Sequence, residues 1–275
     1  MSGVIVDRDI CTQCGVCVDS CAFGAIELEQ SGILITEECR LCGACVDACP
    51  QGALSIEEAE TVTSVDLDTY SGVLVFVEQT EGQIHPVSYE MIGKGLELAR
   101  SLGHKLYCVV AGENIKEQAA DLVYYGVDEV YVYDQPALRH FRVEPYTTVV
   151  CDLVEAIRPN ILLIGATHIG RSLAPRVATR LRTGLTADCT SLDVRENGDL
   201  VQTRPAFGGN VMARILTPNH RPQMATVRYK VMSRAARVEE PQGTVKERSL
   251  PDHLLSSGIE VLEVVKSAAA ASITE

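Results

Sequence analysis

The sequence of 275 residues contains no tryptophan, and only 5% of its residues are aromatic. No apolar run approaches the length of a membrane-spanning helix, about 20 residues. The first ten residues lack both the basic and the apolar region of a secretion signal. Lysine and arginine form no stripe with interleaved aromatic residues, as a nucleic-acid-binding surface would. These absences predict a cytoplasmic chain that neither spans a membrane nor binds nucleic acid.

Lysine is also missing from residues 1–60, where eleven Asp and Glu residues stand against only Arg8 and Arg40. This segment therefore carries nine of the thirteen net negative charges of the chain. Two interpretations of this acidity stay open. It is either an ordinary solvated face or an acidic docking surface for a basic redox partner.

Cysteine, in contrast, is abundant, with eleven residues in the chain. Eight of them form two copies of the pattern C-x2-C-x2-C-x3-C, and each cysteine of the first copy recurs 28 residues later. The flanking residues repeat at the same offset, which indicates an internal duplication. Each half is expected to have a strand before its cysteines, a short helix through the third and fourth cysteine, and an alternating strand after them, at Ala25–Glu29 and Ala53–Glu57.

This cysteine spacing is found in bacterial-type ferredoxins, which hold two [4Fe-4S] clusters. Three closely spaced thiolates wrap one face of a cluster, whereas the fourth lies beyond a helical turn and reaches the neighbouring cluster. We therefore assign Cys11, Cys14, Cys17 and Cys49 to one cluster and Cys39, Cys42, Cys45 and Cys21 to the other. Zinc would need paired C-x2-C motifs far apart in sequence, and disulfides would need an oxidising compartment, so both alternatives are disfavoured.

Few large apolar residues accompany these cysteines in residues 1–60, so the clusters must supply most of the stability of this module. The metal-free module is therefore expected to be unfolded. The remaining cysteines, Cys108, Cys151 and Cys189, fall in predicted strands and a helix, where they are interpreted as small apolar core residues.

From Gly72 onward, short apolar strands alternate with amphipathic helices. The predicted strands are Val73–Val77, Leu106–Val110, Glu129–Tyr133 and Ile161–Ile164. A helix is predicted after each strand. The first ends at Gly103, and the second is capped by Asn114, with Glu117 three residues further on. The third starts near Pro145, and the fourth ends at Gly184. Four successive βα units predict an α/β fold with a doubly wound, mostly parallel sheet.

After Gly184 the helical pattern stops. Thr190–Val194 and Leu200–Arg204 flank an Asn197-Gly198 turn, which predicts a hairpin, and Met212–Leu216 and Met224–Val227 continue as strands. This region is expected to be an antiparallel extension of the parallel sheet. The predicted organisation is a ferredoxin domain (1–60), a linker (61–71), an α/β domain (72–233) and a tail (234–275).

Four segments of the α/β domain carry a family resemblance: GVLVFVEQ from Gly72, ILLIGATHIGRSLAPRVATRL from Ile161, GLTADCTSL from Gly184 and TRPAFGGNVMARI from Thr203. Over residues 70–233 the chain is similar to the first domain of electron-transfer flavoprotein (ETF) alpha subunits. With its ferredoxin module it resembles the alpha subunits of electron-bifurcating complexes, most of all those of the caffeyl-CoA reductase type.

The resemblance implies an electron-transfer subunit that is not an enzyme by itself. NADH would reduce a flavin in an ETF beta subunit; one electron would pass to an acyl-CoA dehydrogenase partner of the caffeyl-CoA reductase type and the other to ferredoxin. The implied cofactors are two [4Fe-4S] clusters, FAD in the beta subunit, and FAD in a C-terminal domain. The glycine-arginine-glycine and isoleucine-serine-glycine-alanine motifs of that domain do not occur here, so we expect the sequence to be part of a longer chain.

The predicted flavin contacts are Arg204, Gly208, Gly209 and Asn210. The glycines allow the backbone to approach a flat ring, and Arg204 supplies a fixed positive charge that favours a reduced flavin anion. Family resemblance implies that this loop faces the flavin of the beta subunit. The alternative is a simple tight turn in which Arg204 pairs with a surface carboxylate.

A second candidate is Gly165–Arg171, which follows a strand and opens a helix. Its N–H groups could hold a phosphate, but it lacks the nucleotide-binding glycine patterns, so a structural helix start or subunit contact is favoured. Two other functions stay open. One is a non-bifurcating flavoprotein that takes electrons from reduced ferredoxin, and the other is a redox-sensing module that binds an adenine nucleotide.

Overall fold

The computed structural model describes residues 3–29, 32–36, 38–57, 66–241 and 243–265. The chain divides into two compact units, residues 1–64 and residues 65–275, and each unit has its own hydrophobic core. Residues 61–65 of the expected linker lie outside the described residues, and Leu67–Thr69 forms a single turn of 3-10 helix.

The first unit consists of two matching halves. The first half contains β1 (Gly3–Val6), α1 (Val16–Asp19) and β2 (Ile26–Glu29); the second contains β3 (Gly32–Ile35), α2 (Ala44–Ala48) and β4 (Leu54–Glu57). The order strand, helix, strand that the repeat predicts is confirmed, but each helix contains only the third cysteine of its run and ends before the fourth. Each strand pairs with one from the other half, because β1 lies antiparallel to β4 and β2 lies antiparallel to β3.

The second unit is built on a seven-stranded sheet. Its elements are, in chain order, β5 (Val73–Val77), β6 (Gln79–Thr80), β7 (Gln83–Ile84), α3 (Pro86–Leu102), β8 (Leu106–Gly112), α4 (Lys116–Asp121), β9 (Glu129–Asp134), α5 (Val143–Ile157), β10 (Ile161–Gly165), α6 (His168–Leu181), β11 (Leu185–Cys189), β12 (Ser191–Val194), β13 (Leu200–Ala206), β14 (Val211–Ile215), β15 (Gln223–Val227) and β16 (Thr244–Arg248).

The strand order of this sheet is β11-β15-β10-β5-β8-β9-β16, and every neighbouring pair is parallel. The chain builds outward from β5 through β8 to β9 and then crosses to the other side of β5 to form β10. Helices α3 and α4 cover one face of the sheet and α5 and α6 cover the other. The doubly wound fold predicted from the four βα units is confirmed.

One predicted helix cap is wrong. Helix α4 begins at Lys116, and Asn114 lies before it with a positive φ of 54°. The carboxylate of Asp134, at the end of the neighbouring strand β9, accepts hydrogen bonds from the N–H groups of Asn114 and Ile115 at 2.7 and 3.2 Å. A charged acceptor from another strand thus satisfies these N–H groups, and no local cap is needed.

Two strands lie elsewhere than the sequence pattern suggested. Met224–Val227, expected in the antiparallel extension, belongs to β15, which is buried along its whole length between β10 and β11 in the parallel sheet. Within the segment expected to be a tail, Thr244–Arg248 forms β16 and extends the sheet beside β9. Because parallel pairing joins residues far apart in sequence, no local pattern signals it.

The predicted hairpin is confirmed, and it forms part of a three-stranded antiparallel sheet of β12, β13 and β14, here called the arm. The Asn197-Gly198 turn joins β12 to β13, and Gly198 has a left-handed φ of 82° that glycine adopts without steric cost. No helix within the described ranges is long and apolar enough to cross a membrane.

Candidate cluster-binding and flavin-facing sites

The first set of predicted cluster ligands comes together in the structure. Cys11, Cys14, Cys17 and Cys49 line one pocket in the first unit, together with apolar side chains that include Ile33 and Leu54. Cys17 lies on α1, whereas Cys49 is the residue at which α2 ends and the chain becomes extended. The fourth thiol of this set therefore reaches the pocket from the other half of the repeat.

The second set occupies equivalent positions. Cys45 is buried like Cys17, Cys42 is exposed like Cys14, and Cys39 and Cys21 are half-buried like Cys11 and Cys49. Equivalent cysteines of the two repeats thus have the same degree of exposure. Ligation by the eight cysteines stays a prediction.

The backbone around the second cysteine of each run has an unusual conformation. Gln13 and Gly15 flank Cys14 with φ values of 54° and 77°, and Leu41 and Gly43 flank Cys42 with φ values of 52° and 79°. Left-handed residues are costly when they are not glycine, and they concentrate at functional sites. Such turns direct successive N–H groups toward one concave region, as in many iron-sulfur sites.

Backbone donors also contact the fourth sulfur of each run. The N–H of Ala25 donates to Cys21 Sγ, and the N–H of Ala53 donates to Cys49 Sγ, both at 3.3 Å. The bond from Ala53 lowers the pKa of the Cys49 thiol, because it favours the thiolate. Burial instead raises the pKa values of Cys17 and Cys45, because an apolar surrounding disfavours the thiolate.

The donor set fits an iron-sulfur cluster. Among the residues that the structure describes, no three His, Cys, Asp or Glu side chains converge closely enough to hold one metal ion. Four thiols instead line the walls of a shared pocket. A [4Fe-4S] cluster needs that arrangement, because each thiolate binds a different iron of the cube.

The predicted flavin contacts lie at one end of the arm. Thr203 on β13 accepts a hydrogen bond from the N–H of Thr190, next to Cys189, where β11 ends. Arg204 follows Thr203, so it lies at the carboxyl-terminal edge of the parallel sheet, where such sheets bind ligands. The turn Phe207–Asn210 extends beyond this edge.

The structure also bears on the two interpretations of Arg204. Its Nε donates to the carbonyl of Pro205 at a long 3.5 Å, and Arg204 pairs with no carboxylate in the described part of the chain. The turn itself is open: Gly208 and Gly209 have φ values of 69° and 93°, and no atom lies within 4 Å of a side chain placed there. Phe207 is 84% exposed. The tight turn is present, and within the described residues no carboxylate pairs with Arg204.

The second candidate, Gly165–Arg171, forms the start of α6. Thr167 caps the helix by accepting a hydrogen bond from the N–H of Gly170 at 3.0 Å, and its hydroxyl donates to the buried carboxylate of Glu78. Burial raises the pKa of Glu78, while the hydroxyl of Thr167 and the nearby His85 and His168 oppose that shift. The protein's own carboxyl group thus occupies the end of α6 that a nucleotide phosphate would need.

Sequence reasoning missed several buried polar residues near the arm. Gln202, two residues before Arg204 on the same strand, is fully buried, and neither of its amide atoms has a hydrogen-bond partner within the described segments. Asn160, Asp199, Arg221 and Gln223 form a second buried group at the opposite end of the arm. The only signal in the sequence for such buried polar side chains is a polar residue within an apolar strand pattern, and only Gln202 and Gln223 show it.

Comparison with known proteins defines the class. Residues 73–253 match the family described as electron transfer flavoprotein domain, and residues 10–54 match the 4Fe-4S dicluster domain. The chain belongs to the electron-transfer flavoprotein family, and this confirms the family resemblance of its α/β domain.

The relatives specify the type of subunit. The chain is 50% identical over 255 residues to the Lactate dehydrogenase (NAD(+),ferredoxin) subunit LctC of Acetobacterium woodii, which covers 93% of this chain and 61% of the relative. It is 53% identical over 166 residues to the electron transfer flavoprotein subunit alpha of Clostridium acetobutylicum, covering 60% of the chain and 49% of the relative. The Protein FixB of Rhizobium meliloti is 48% identical over 185 residues, with coverages of 66% and 52%.

The chain is therefore an ETF alpha-type subunit with an N-terminal iron-sulfur module of the ferredoxin type. It spans between about half and three fifths of the length of these relatives. Iron-sulfur and flavin chemistry belong to this class of protein.

Proposed function

We propose that this chain is the electron-transfer subunit of a flavin-based electron-bifurcating complex, in which it relays single electrons between the flavin of an ETF beta subunit and ferredoxin. The observation that carries the proposal is the pocket lined by Cys11, Cys14, Cys17 and Cys49. A chain that joins such a pocket to an ETF domain combines a one-electron relay with a flavin-partner domain.

The proposed cofactors are two [4Fe-4S] clusters on the eight cysteines, FAD in the beta subunit, and FAD in a C-terminal domain beyond these residues. When bound, the clusters supply one-electron chemistry and the flavins convert a two-electron hydride into single electrons. The complex is proposed to function in the cytoplasm.

The residues of this chain have two roles in that function. In the first unit, the thiols hold the clusters, the N–H groups of Ala25 and Ala53 donate to Sγ atoms, and Ile33 and Leu54 keep water from the pocket. In the second unit, Arg204 presents a guanidinium without a carboxylate partner among the described residues at the edge of the sheet. A permanent cation at this position favours the negative charge of a reduced flavin.

The dehydrogenase partner is proposed to be an acyl-CoA dehydrogenase of the caffeyl-CoA reductase type, as the family resemblance of the motifs suggests. A second candidate comes from the similarity to LctC, which is named as a subunit of a lactate dehydrogenase that uses NAD(+) and ferredoxin. Assays of the purified complex with NAD(H), ferredoxin and either an enoyl-CoA or lactate would separate the two candidates. If the complex turns over lactate and no enoyl-CoA under these conditions, the acyl-CoA proposal is rejected.

Anaerobic co-purification with the bound partners tests the proposal as a whole. We expect about eight iron and eight sulfide per chain, as two cubane clusters require, and flavin in the partner subunit. The paramagnetic signal of reduced clusters should appear after dithionite. Zinc in place of iron, or a silent spectrum after reduction, would reject the relay.

The direction of electron flow needs a separate measurement. Redox titration of the clusters and the flavins in one complex gives their potentials on a common scale. Clusters with potentials well below those of the flavins support export to ferredoxin in bifurcation. Transfer from reduced ferredoxin to the flavins with no NADH requirement would instead support the non-bifurcating alternative.

A further inference from the structure

The arm that carries Arg204 is fixed to the parallel sheet by a buried polar network at its other end. The network consists of four side chains that are 5%, 6%, 7% and 0% exposed, respectively: Asn160, Asp199, Arg221 and Gln223. Asn160 directly precedes β10 and Gln223 is the first residue of β15, so the network lies at the amino-terminal edge of the sheet.

Gln223 and Asn160 hold the turn between β12 and β13. The Oε1 atom of Gln223 accepts a hydrogen bond from the N–H of Leu200 at 2.7 Å, and its Nε2 donates to the carbonyl of Gly198 at 3.1 Å. The side chain of Asn160 also donates to the carbonyl of Gly198, at 3.4 Å. Two residues of the parallel sheet thus share one backbone turn of the arm.

Arg221 joins that turn to the segment through which the arm returns to the sheet. Its Nη2 contacts Asp199 Oδ1 at 3.4 Å, and its Nη1 donates to the carbonyls of Thr217 and His220 at 3.1 and 2.9 Å. The entrance to β13 and the exit from β14 are therefore held by one buried side chain.

Such a network is a costly way to stabilise a fold, because buried ions and amides lose their hydration and apolar residues of similar size often stabilise more. Hydrogen bonds, unlike apolar contacts, require a particular orientation of the groups that they join. The apolar contacts of Leu192 and Leu200 with the core do not by themselves fix the angle between the arm and the parallel sheet. The network instead fixes one orientation of the arm.

The two ends of β13 are held separately. Next to Arg204, the carbonyl of Thr203 accepts a hydrogen bond from the N–H of Thr190, which directly follows the buried end of β11, so this end is the pivot when the network at Leu200 is weakened. Leu200 and Arg204 are four residues apart, or about 13 Å in an extended strand, and a tilt of about 10° would move Leu200 by about 2 Å and turn the side chain of Arg204 through the same angle. Such a turn changes the distance from the guanidinium to a neighbouring ring, and with it their electrostatic interaction.

We propose that Asn160, Asp199, Arg221 and Gln223 are positioning residues, which set the angle of the arm and thereby the distance from Arg204 to the flavin of the partner subunit. This inference rests on the proposed function, because the flavin belongs to the proposed ETF beta subunit. It adds that residues at the far end of the arm tune the electronic environment of that flavin without touching it.

The test uses the full chain in complex with its flavin-bearing partner. The variants Gln223→Leu and Asp199→Asn weaken the network, and the second serves where the first does not fold. Gln135→Leu is a matched control, because Gln135 also holds backbone through its amide, with two bonds of 2.8 Å to Leu250 near the opposite edge of the sheet. Each variant is made alone and together with Arg204→Ala.

Two quantities are measured: the angle between arm and sheet in a crystal structure, and the midpoint potential of the partner flavin. We expect Arg204→Ala to change the ratio of reduced to oxidised flavin about tenfold at fixed potential, or about 59 mV for one electron. Gln223→Leu should rotate the arm and change the ratio about threefold, but add nothing in the Arg204→Ala background. Gln135→Leu should change neither quantity.

The outcomes separate the inference from the function on which it rests. An unmoved arm in both network variants would overturn the positioning role, as would a potential shift that persists without Arg204. If the arm rotates but Arg204→Ala leaves the flavin potential unchanged, the proposed flavin contact is rejected, and the tuning role of the network is rejected with it.

Discussion

The two units of the chain are stabilised in different ways. The hydrophobic cluster among the described residues of the first unit is small, and two of its buried members are predicted metal ligands: Cys17, Ile26, Ile33, Cys45 and Leu54. The second unit has an apolar cluster on each face of its sheet, with fully buried strands such as β5 and β10. The first unit is too small to stabilise itself by apolar burial, whereas the second needs no metal to do so.

The cysteines show the same contrast. In the second unit, burial raises the pKa of Cys151 to about 11 and that of Cys189 to about 12, so both remain protonated thiols at neutral pH. In the first unit, half of the eight cysteines are half-buried and two are exposed. The same residue type is therefore predicted to be a ligand in one unit and lies in the apolar core in the other.

Removal of the metal is expected to have the largest effect. Anaerobic chelation should unfold the first unit and leave the second folded, because the cluster bonds stabilise only the former. Hydrogen exchange would show loss of protection in residues 3–57 and retained protection in β5, β8 and β10. Full protection of β1 and β4 without metal would contradict the expectation that the first unit depends on metal for its stability.

Single cysteine substitutions should separate the two kinds of thiol. Cys49→Ser is expected to remove about half of the iron, because it takes the fourth ligand from the cluster of Cys11, Cys14 and Cys17. Cys151→Ser, at a buried site of the second unit, should leave the iron content unchanged. Iron and sulfide assays on both proteins measure the difference, and an equal loss of iron in the two variants would argue against the assignment.

A smaller effect is expected at the polar residue in the core of the second unit. Gln202→Met keeps the shape of the side chain and removes an amide that has no hydrogen-bond partner in the described structure. The free energy of unfolding should rise by about 1–2 kcal/mol. Urea unfolding measures it, and Gln223→Met, which breaks bonds to Leu200 and Gly198, should lower it. A destabilised Gln202→Met protein would show that the amide has a partner.

The smallest effect concerns a charge cluster in the second unit. Although burial opposes it, hydrogen bonds from Lys246, Tyr131 and Lys105 lower the pKa of Glu129 to about 2. Since the folded value lies below the ordinary 4.5, the stabilisation is present above pH 4.5 and is lost as the pH falls toward 2. Glu129→Gln should cost about 1 kcal/mol at pH 7, a difference that shrinks below pH 4.5 in urea titrations.

Much of the fold could be predicted from local patterns. The strands β5, β8, β9 and β10 were found from runs of apolar and β-branched residues, and the Asn197-Gly198 turn fixed the hairpin. What failed depended on distant partners. Asp134 replaces the expected cap at Asn114. Strand β15 pairs with β11 and β10, about 40 and 60 residues earlier, and β16 pairs with β9, more than 100 residues earlier.

The candidate site follows the same division. Cysteine spacing was enough to predict which four thiols line the first pocket, since the repeat itself carries the geometry. The network of Asn160, Asp199, Arg221 and Gln223 had no such signal, because its members come from three separate segments and each alone resembles an ordinary polar residue. Whether a carboxylate pairs with Arg204 could also not be predicted from the sequence, because pairing depends on the positions of side chains distant along the chain; among the described residues none does.

The pairing of β1 with β4 has a consequence for biosynthesis. Val6 pairs with Leu54, so the first strand of this module waits about 2–10 s for its last strand at ordinary translation rates. The thiols of Cys11, Cys14 and Cys17 wait for Cys49 for about 2–8 s at the same rates. Iron delivery is thus tied to completion of the whole module, and a nascent chain arrested between the two repeats would present three thiols with no fourth.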